Sequence, residues 1–159
     1  MGIAMSFYRV TPDELALAEE DPGRADDLVD TAMERAEKDG SPSGYLDKSW
    51  DGLNFLFKAA RVPVDLQDDI FFLDDDGHLS GWDEQTVAET ARILRSTSFD
   101  DLARHYDPVT MTEQRVYPRH VWIRDGDETL NWLRRFFDCL VAFFDDTAAR
   151  GGAVIKSVG

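Results

Sequence analysis

The apolar residues of this chain recur with helical or strand periodicity in several separate segments. Over residues 25–38 they fall at intervals of three and four, the spacing of an amphipathic helix. A longer stripe of the same kind covers residues 128–150 and ends at Gly151-Gly152. Short apolar runs at 6–10 and 153–158 have the length of strands. The pattern therefore predicts a mostly helical chain framed by two strands, which could pair with each other.

A further helix is predicted over residues 48–60, within and after the stretch YLDKSWDGL. Asp47 is a residue type that caps helix N-termini, and the apolar positions that follow it share one helical face. Lys48 and Asp51 would then lie at the start of this helix, and Trp50 would point into the core. Carboxylates near a helix N-terminus are favoured by the helix dipole, so this arrangement needs no catalytic purpose.

The middle of the chain is less regular. Residues 65–82 show no clear period, although a short apolar run at 70–73 predicts an edge strand. Helices are expected over 83–94 and 99–105, and a loop follows Tyr117-Pro118, because proline disfavours helical geometry in the residue before it. The whole pattern predicts an α+β fold that is predominantly helical, with a small sheet that includes the N- and C-terminal strands.

Length and composition favour one globular domain over residues 1–159, because the chain is 43% hydrophobic and close to the usual size of a domain. The one cysteine, Cys139, falls in the apolar stripe of the last helix and is expected to be buried. It rules out an intramolecular disulfide. The chain also shows neither an export leader nor an apolar segment long enough to span a membrane. We therefore expect a cytoplasmic protein with no membrane association.

The net charge of −15 is concentrated in two segments. Residues 13–39 contain eleven acidic and three basic residues, and residues 65–84 contain eight acidic residues and no basic one. Nucleic acid is excluded as a partner, because phosphate backbones require clusters of lysine and arginine. A basic protein surface is the expected partner, although a run of charge often serves only solubility.

Residues able to carry chemistry form no recognisable catalytic or metal-binding signature. An EF-hand loop with its glycine at Gly77 would begin at Phe72, which cannot ligate calcium, so the acidic run 74–76 is expected to be a solvated turn. The three histidines lack the spacing of a zinc site. We therefore predict no metal and no cofactor. Tyr117 and His120 are near enough in sequence to meet as an acid and a base.

Several short motifs, taken in order, resemble the YfbM-like proteins of bacteria. They are SFYRV near the start, Leu46-Asp47-Lys48 with Trp50, Tyr117-Pro118, and Gly-Gly-Ala153-Val154 after the last helix. The likeness extends over essentially the whole chain. It implies a single-domain α+β fold of cytosolic type. Because the activity of that family is unassigned, the likeness transfers no catalytic residue.

The resemblance also indicates where a family pocket would lie. Its matched residues here are Asp47, Lys48, Trp50 and Tyr117. Many relatives carry a histidine directly after the tryptophan or three residues later, where this chain has Asp51 and Asn54. An imidazole is therefore not essential at this position, and the implied role is ligand binding.

Two functional hypotheses follow. The first is a non-enzymatic interaction protein, of adaptor or immunity type, that offers its acidic segments to a basic partner. The alternative is a small-molecule-binding protein or small enzyme with a pocket at the start of the Asp47 helix. In that pocket Lys48 or Tyr117 would hold an anion, Asp47 or Asp51 would act as base, and His120 would lie close by.

Overall fold

A computed structural model describes residues 2–68 and 71–159 of the chain, and within these ranges it contains eight α-helices and a five-stranded sheet. The helices are α1 (Pro12–Glu20), α2 (Ala25–Asp39), α3 (Trp50–Ala59), α4 (Glu84–Arg95), α5 (Phe99–Ala103), α6 (Pro108–Glu113), α7 (Val121–Asp125) and α8 (Asp127–Ala149). The strands are β1 (Met5–Val10), β2 (Gly44–Asp47), β3 (Phe71–Phe72), β4 (Leu79–Trp82) and β5 (Ala153–Val158).

The terminal strands lie side by side inside the sheet. The strand order is β2-β1-β5-β4-β3, and every neighbouring pair is antiparallel. β1 pairs with β5 along its whole length, from Met5 opposite Val158 to Val10 opposite Ala153. The prediction of an α+β fold with a small sheet that includes both terminal strands is therefore confirmed. The expectation that these two strands pair with each other is also confirmed.

Helices cover both faces of the sheet, because successive side chains of a strand point to opposite sides. Phe7 of β1 points into a large cluster with α3, α4 and α8, which includes Leu53 and Phe144. Val10 points to the other side, into a smaller cluster with α1 and α2 that includes Leu15. Among the residues that the structure describes, no helix combines the length and the apolar character needed to cross a membrane.

The acidic turn between β3 and β4 lies on the same side of the sheet as α1 and α2. Leu73 and Leu79, which flank this turn, are buried in the smaller cluster together with Leu15 and Ala18 of α1 and Ala32 of α2. The helices α1 and α2 and the acidic turn 74–76 thus share one hydrophobic cluster, whereas Leu66 and Trp82, near the two ends of the second acidic segment, are buried in the larger one.

Several local expectations differ from the structure. Two short strands, β2 and β4, and the short helix α7 form where no regular element was predicted. The predicted edge strand at 70–73 is observed as β3, and Ile70 lies outside the described residues. Cys139 was expected to be buried, but its side chain is exposed. Cys139 lies beside the buried stripe of α8, which passes through Leu133, Phe137, Leu140 and Phe144.

An ion pair connects α1 to α2 within the acidic layer. The Arg35 guanidinium donates hydrogen bonds of 3.0 and 2.9 Å to the two carboxylate oxygens of Glu14. This contact holds the pKa of Glu14 below its ordinary value of 4.5. Because the folded-state pKa is the lower one, the pair stabilises the fold above the unfolded-state pKa. That stability is lost as the pH falls through the folded-state pKa.

Glu14→Gln should therefore lower the free energy of unfolding by about 1 kcal/mol at pH 7, and the loss should shrink below pH 4.5. Glutamine can still accept the hydrogen bond from the Thr11 amide, so the helix cap survives the change. Urea denaturation of both proteins at neutral and at acid pH measures the difference. A loss of equal size at both values would exclude the ion pair as its source.

Candidate functional site

The start of α3 is shaped by the end of strand β2. Asp47 was predicted to cap this helix, and that prediction is wrong, because Asp47 still pairs with Met5 as the last residue of β2. The helix begins at Trp50, with Ser49 in the capping position. The Ser49 hydroxyl donates a 2.6 Å hydrogen bond to the carbonyl of Leu46 and does not cap the helix. The polar residues 47–49 therefore form a tight connection and precede the first turn of the helix.

Trp50 anchors the N-terminal segment of the chain to this connection. Its side chain is only 7% exposed, which confirms that it points into the core. The indole N–H donates a 2.9 Å hydrogen bond to the carbonyl of Ile3. The ring stacks on Tyr117 with centroids 5.5 Å apart. One side chain thus holds together three segments that are distant in sequence.

Asp51 holds the loop that carries Tyr117. Its carboxylate accepts a 2.8 Å hydrogen bond from the Tyr117 amide. The Tyr117 hydroxyl in turn accepts a 2.7 Å hydrogen bond from the amide of Ile3. The Tyr117-Pro118 peptide bond is cis. Both polar side chains therefore position the backbone, which accounts for aspartate and tyrosine at these places without a reaction.

Lys48 lies beside the same N-terminal segment. A Cβ atom on Gly2 would lie 2.7 Å from the Tyr117 hydroxyl and 2.8 Å from the Lys48 ammonium, and it would overlap Cε of Lys48. A larger residue at position 2 would therefore displace the end of the Lys48 side chain. Within the described part of the chain, Lys48 makes neither a hydrogen bond nor an ion pair, so its charge is open to a ligand.

The structure brings four of the six predicted site residues together. They are Lys48, Trp50, Asp51 and Tyr117. Asp47 instead accepts a 3.2 Å hydrogen bond from the hydroxyl of Tyr45, which lies two residues earlier on β2. His120 is exposed directly before α7, where its amide donates to the Pro118 carbonyl at 3.1 Å. Within the described ranges, neither a hydrogen bond nor an ion pair links its side chain to the other five residues.

A groove of about 400 Å³ opens next to Lys48. It is lined by Lys48, Pro118, Val121, Asp125, Glu128, Thr129, Trp132 and Arg135. The residues at 128, 132 and 135 come from one face of α8, because they are four and three positions apart. Sequence reasoning missed this face, since it followed only the apolar stripe of the helix. The recurrence of charged and aromatic residues at helical spacing was the available signal.

The groove contains charges of both signs. Asp125 binds Arg124 at 2.8 Å, and this guanidinium lowers the pKa of the Asp125 carboxyl. Glu128 lies in the first turn of α8, where the helix dipole favours a carboxylate. Arg135 is exposed and, like Lys48, has no hydrogen-bond or ion-pair partner among the residues described. Of the four charged residues that line the groove, only Asp125 therefore has an ion-pair partner among the residues described.

A second group of polar side chains lies in the turn between β3 and β4. Ligand atoms of Asp74, Asp76 and His78 lie within 4.8 Å of one another. The Asp74 carboxylate also accepts a 3.0 Å hydrogen bond from the Leu79 amide, and Asp76 and His78 are exposed. The sequence pointed to the two acids but not to His78. As a partly solvated turn, this group has the form expected for an acidic hairpin.

These features define an α+β protein in which one antiparallel sheet separates two helical layers. The chain belongs to the family of the domain of unknown function DUF1877, whose model matches residues 1–157. Its fold is similar to that of the protein of unknown function YfbM from Escherichia coli, with a TM-score of 0.70 and 16% sequence identity. That likeness covers 98% of this chain and 99% of the other. The resemblance to YfbM-like proteins is confirmed. Comparison with curated proteins gives no match.

Proposed function

We propose that this chain is a non-enzymatic protein-binding module of the bacterial cytoplasm, of adaptor or immunity type, acting as one domain over residues 1–159. It binds a basic protein surface through an acidic face, which comprises the exposed surfaces of α1, α2 and the turn 74–76. The observation that supports the proposal is the shared hydrophobic cluster, because it packs α1, α2 and the acidic turn 74–76 together on one side of the sheet.

The acidic face offers many carboxylates to solvent. On α1, α2 and the turn between them the exposed acids are Asp13, Glu19, Glu20, Asp21, Asp26, Asp27, Asp30, Glu34, Glu37 and Asp39. Asp75 and Asp76 add to them from the β3–β4 turn. A concentration of one sign of charge raises the association rate of a partner of opposite sign and disfavours partners of the same sign.

Large apolar side chains are exposed within the same acidic segments. Leu17 of α1 is 42% exposed, Met33 of α2 is 52% exposed, and Phe72 of β3 is 56% exposed. Apolar side chains surrounded by charged ones are typical of protein interaction surfaces. They would supply the contact area that holds a partner once the charges have brought it close.

Two matched double variants test the face. Asp30→Asn with Glu34→Gln removes two exposed charges from α2, and Glu113→Gln with Asp138→Asn removes two exposed charges from the opposite helical layer. The tagged wild-type chain is used to retain binding partners at low ionic strength. Each retained partner is identified, purified and titrated against the wild type and both double variants. We expect the α2 variant to bind the partner about threefold to tenfold more weakly, with the control unchanged and wild-type affinity falling as salt rises.

Three results would contradict the proposal. They are retention of no partner at low ionic strength, equal weakening by both double variants, and an affinity that is independent of salt. Circular dichroism of the variants checks that each is folded, so a loss of binding is not mistaken for a loss of structure.

A further inference from the structure

We propose that the groove beside Lys48 binds a small organic anion, whose aromatic or apolar body packs on Trp132 and whose single anionic group is held by Lys48 and Arg135. This site goes beyond the proposed protein-binding role. The groove belongs to the helical layer of α3, α7 and α8, on the side of the sheet opposite α1 and α2.

Most arginines outside the groove, for example Arg95 and Arg134, pair with a carboxylate at about 2.8 to 2.9 Å. Lys48 and Arg135 have no such partner among the residues described, although the protein carries a net charge of −15. Lys48 and Arg135 can together hold an anion in the groove, and a guanidinium can donate two parallel hydrogen bonds to a carboxylate.

The lining indicates the rest of the ligand. Pro118, Val121 and the half-buried Trp132 provide apolar surface, and a volume of about 400 Å³ suits a small organic molecule. The Trp132 ring is held edge-on by Phe136 with centroids 5.7 Å apart. Within the described residues its indole N–H donates to no acceptor, so it remains available to a ligand oxygen.

Glu128 limits the charge that the ligand can carry. Its carboxylate lines the groove one helical turn from Trp132 and has no ion-pair partner within the described ranges. A dianion such as a phosphate monoester would meet more repulsion from it than a carboxylate does. The preferred ligand is therefore an aromatic or aliphatic monocarboxylate.

Three probes with the same ring separate charge from shape. Indole-3-acetate is an anion, tryptophol is neutral, and tryptamine is a cation. Each of them is titrated separately into the full, ¹⁵N-labelled chain. Phenyl phosphate is titrated in the same way as a dianion. We expect indole-3-acetate to bind about tenfold more tightly than tryptophol or phenyl phosphate, and tryptamine to bind most weakly. The resonance of the Trp132 indole N–H should shift on binding.

Matched variants locate the binding. Arg135→Gln and Lys48→Gln should each weaken binding of indole-3-acetate about tenfold and leave tryptophol unchanged. Arg115→Gln removes an exposed, equally unpaired arginine outside the groove and should have no effect. Because Arg135 is exposed on α8, its variant should fold normally even if the Lys48 variant does not. Tighter binding of tryptamine, equal weakening by Arg115→Gln, or no shift at Trp132 would each overturn the proposal.

Discussion

Trp50→Ala should lower the free energy of unfolding by about 3–5 kcal/mol, as is usual for truncation of a buried aromatic side chain. The indole is 7% exposed and is surrounded by the large hydrophobic cluster. Its removal leaves a cavity, ends the stacking with Tyr117 and deprives the Ile3 carbonyl of its donor. Urea denaturation followed by circular dichroism measures the loss.

Two further tryptophan variants show whether burial is the cause. Trp50→Phe keeps an aromatic ring against Tyr117 but cannot donate to Ile3, so its loss should be intermediate. Trp132→Ala removes a ring of the same type from the groove, where it is only half-buried, and should cost about 1 kcal/mol or less. If Trp50→Ala and Trp132→Ala had equal effects, the anchoring role of Trp50 would be wrong.

The elements that the sequence predicted correctly are those specified by local pattern. The helices at 25–38 and 128–150 have long apolar stripes, and such stripes depend only on neighbours within the same helix. The strands β1 and β5 are short apolar runs at the two ends of the chain, and they pair with each other in the sheet. The apolar patterns of these helices and strands were therefore sufficient to predict the fold class.

The elements that the sequence did not predict depend on contacts between distant residues. Strand β2 pairs so closely with β1 that a Cβ atom at position 44 would overlap the Phe7 carbonyl oxygen, so this pairing requires Gly44. That requirement is invisible in the four residues of β2 themselves. It also explains the error at Asp47, because a capping residue type is equally acceptable at the end of a strand that turns with positive φ.

The residues of the candidate site also fall into two groups, those that a local pattern predicts and those that only contacts between distant residues bring together. Trp50 was found from helical spacing, whereas the bond from Asp51 to the Tyr117 amide joins residues 66 positions apart. Trp132 and Arg135 lie on the polar face of α8, which becomes a groove only when α7 and Lys48 pack beside it. His120 was expected to meet Tyr117 because the two are close in sequence. The backbone between them turns at Arg119 with a φ of 80°.

Gly52→Ala should destabilise the fold by about 2 kcal/mol, although alanine is the better helix former by about 1 kcal/mol. Gly52 lies in the first turn of α3, where a Cβ atom would be 2.5 Å from Cη2 of Trp122 and 2.9 Å from Cδ2 of Leu133. Both side chains are fully buried, so neither can move away freely. Thermal and urea denaturation measure the net loss.

The Trp122→Phe background tests the cause, because phenylalanine lacks the ring atoms that the new methyl group would meet. In that background Gly52→Ala should cost at least about 1 kcal/mol less than in the wild type, which a double-mutant cycle reports directly. Gly23→Ala is the control, since a Cβ atom there would meet only the Asp21 side chain at 3.2 Å, and it should change stability by about 0.5 kcal/mol or less. An equal cost of Gly52→Ala in both backgrounds would show that contact with Trp122 is not the reason for glycine at this position.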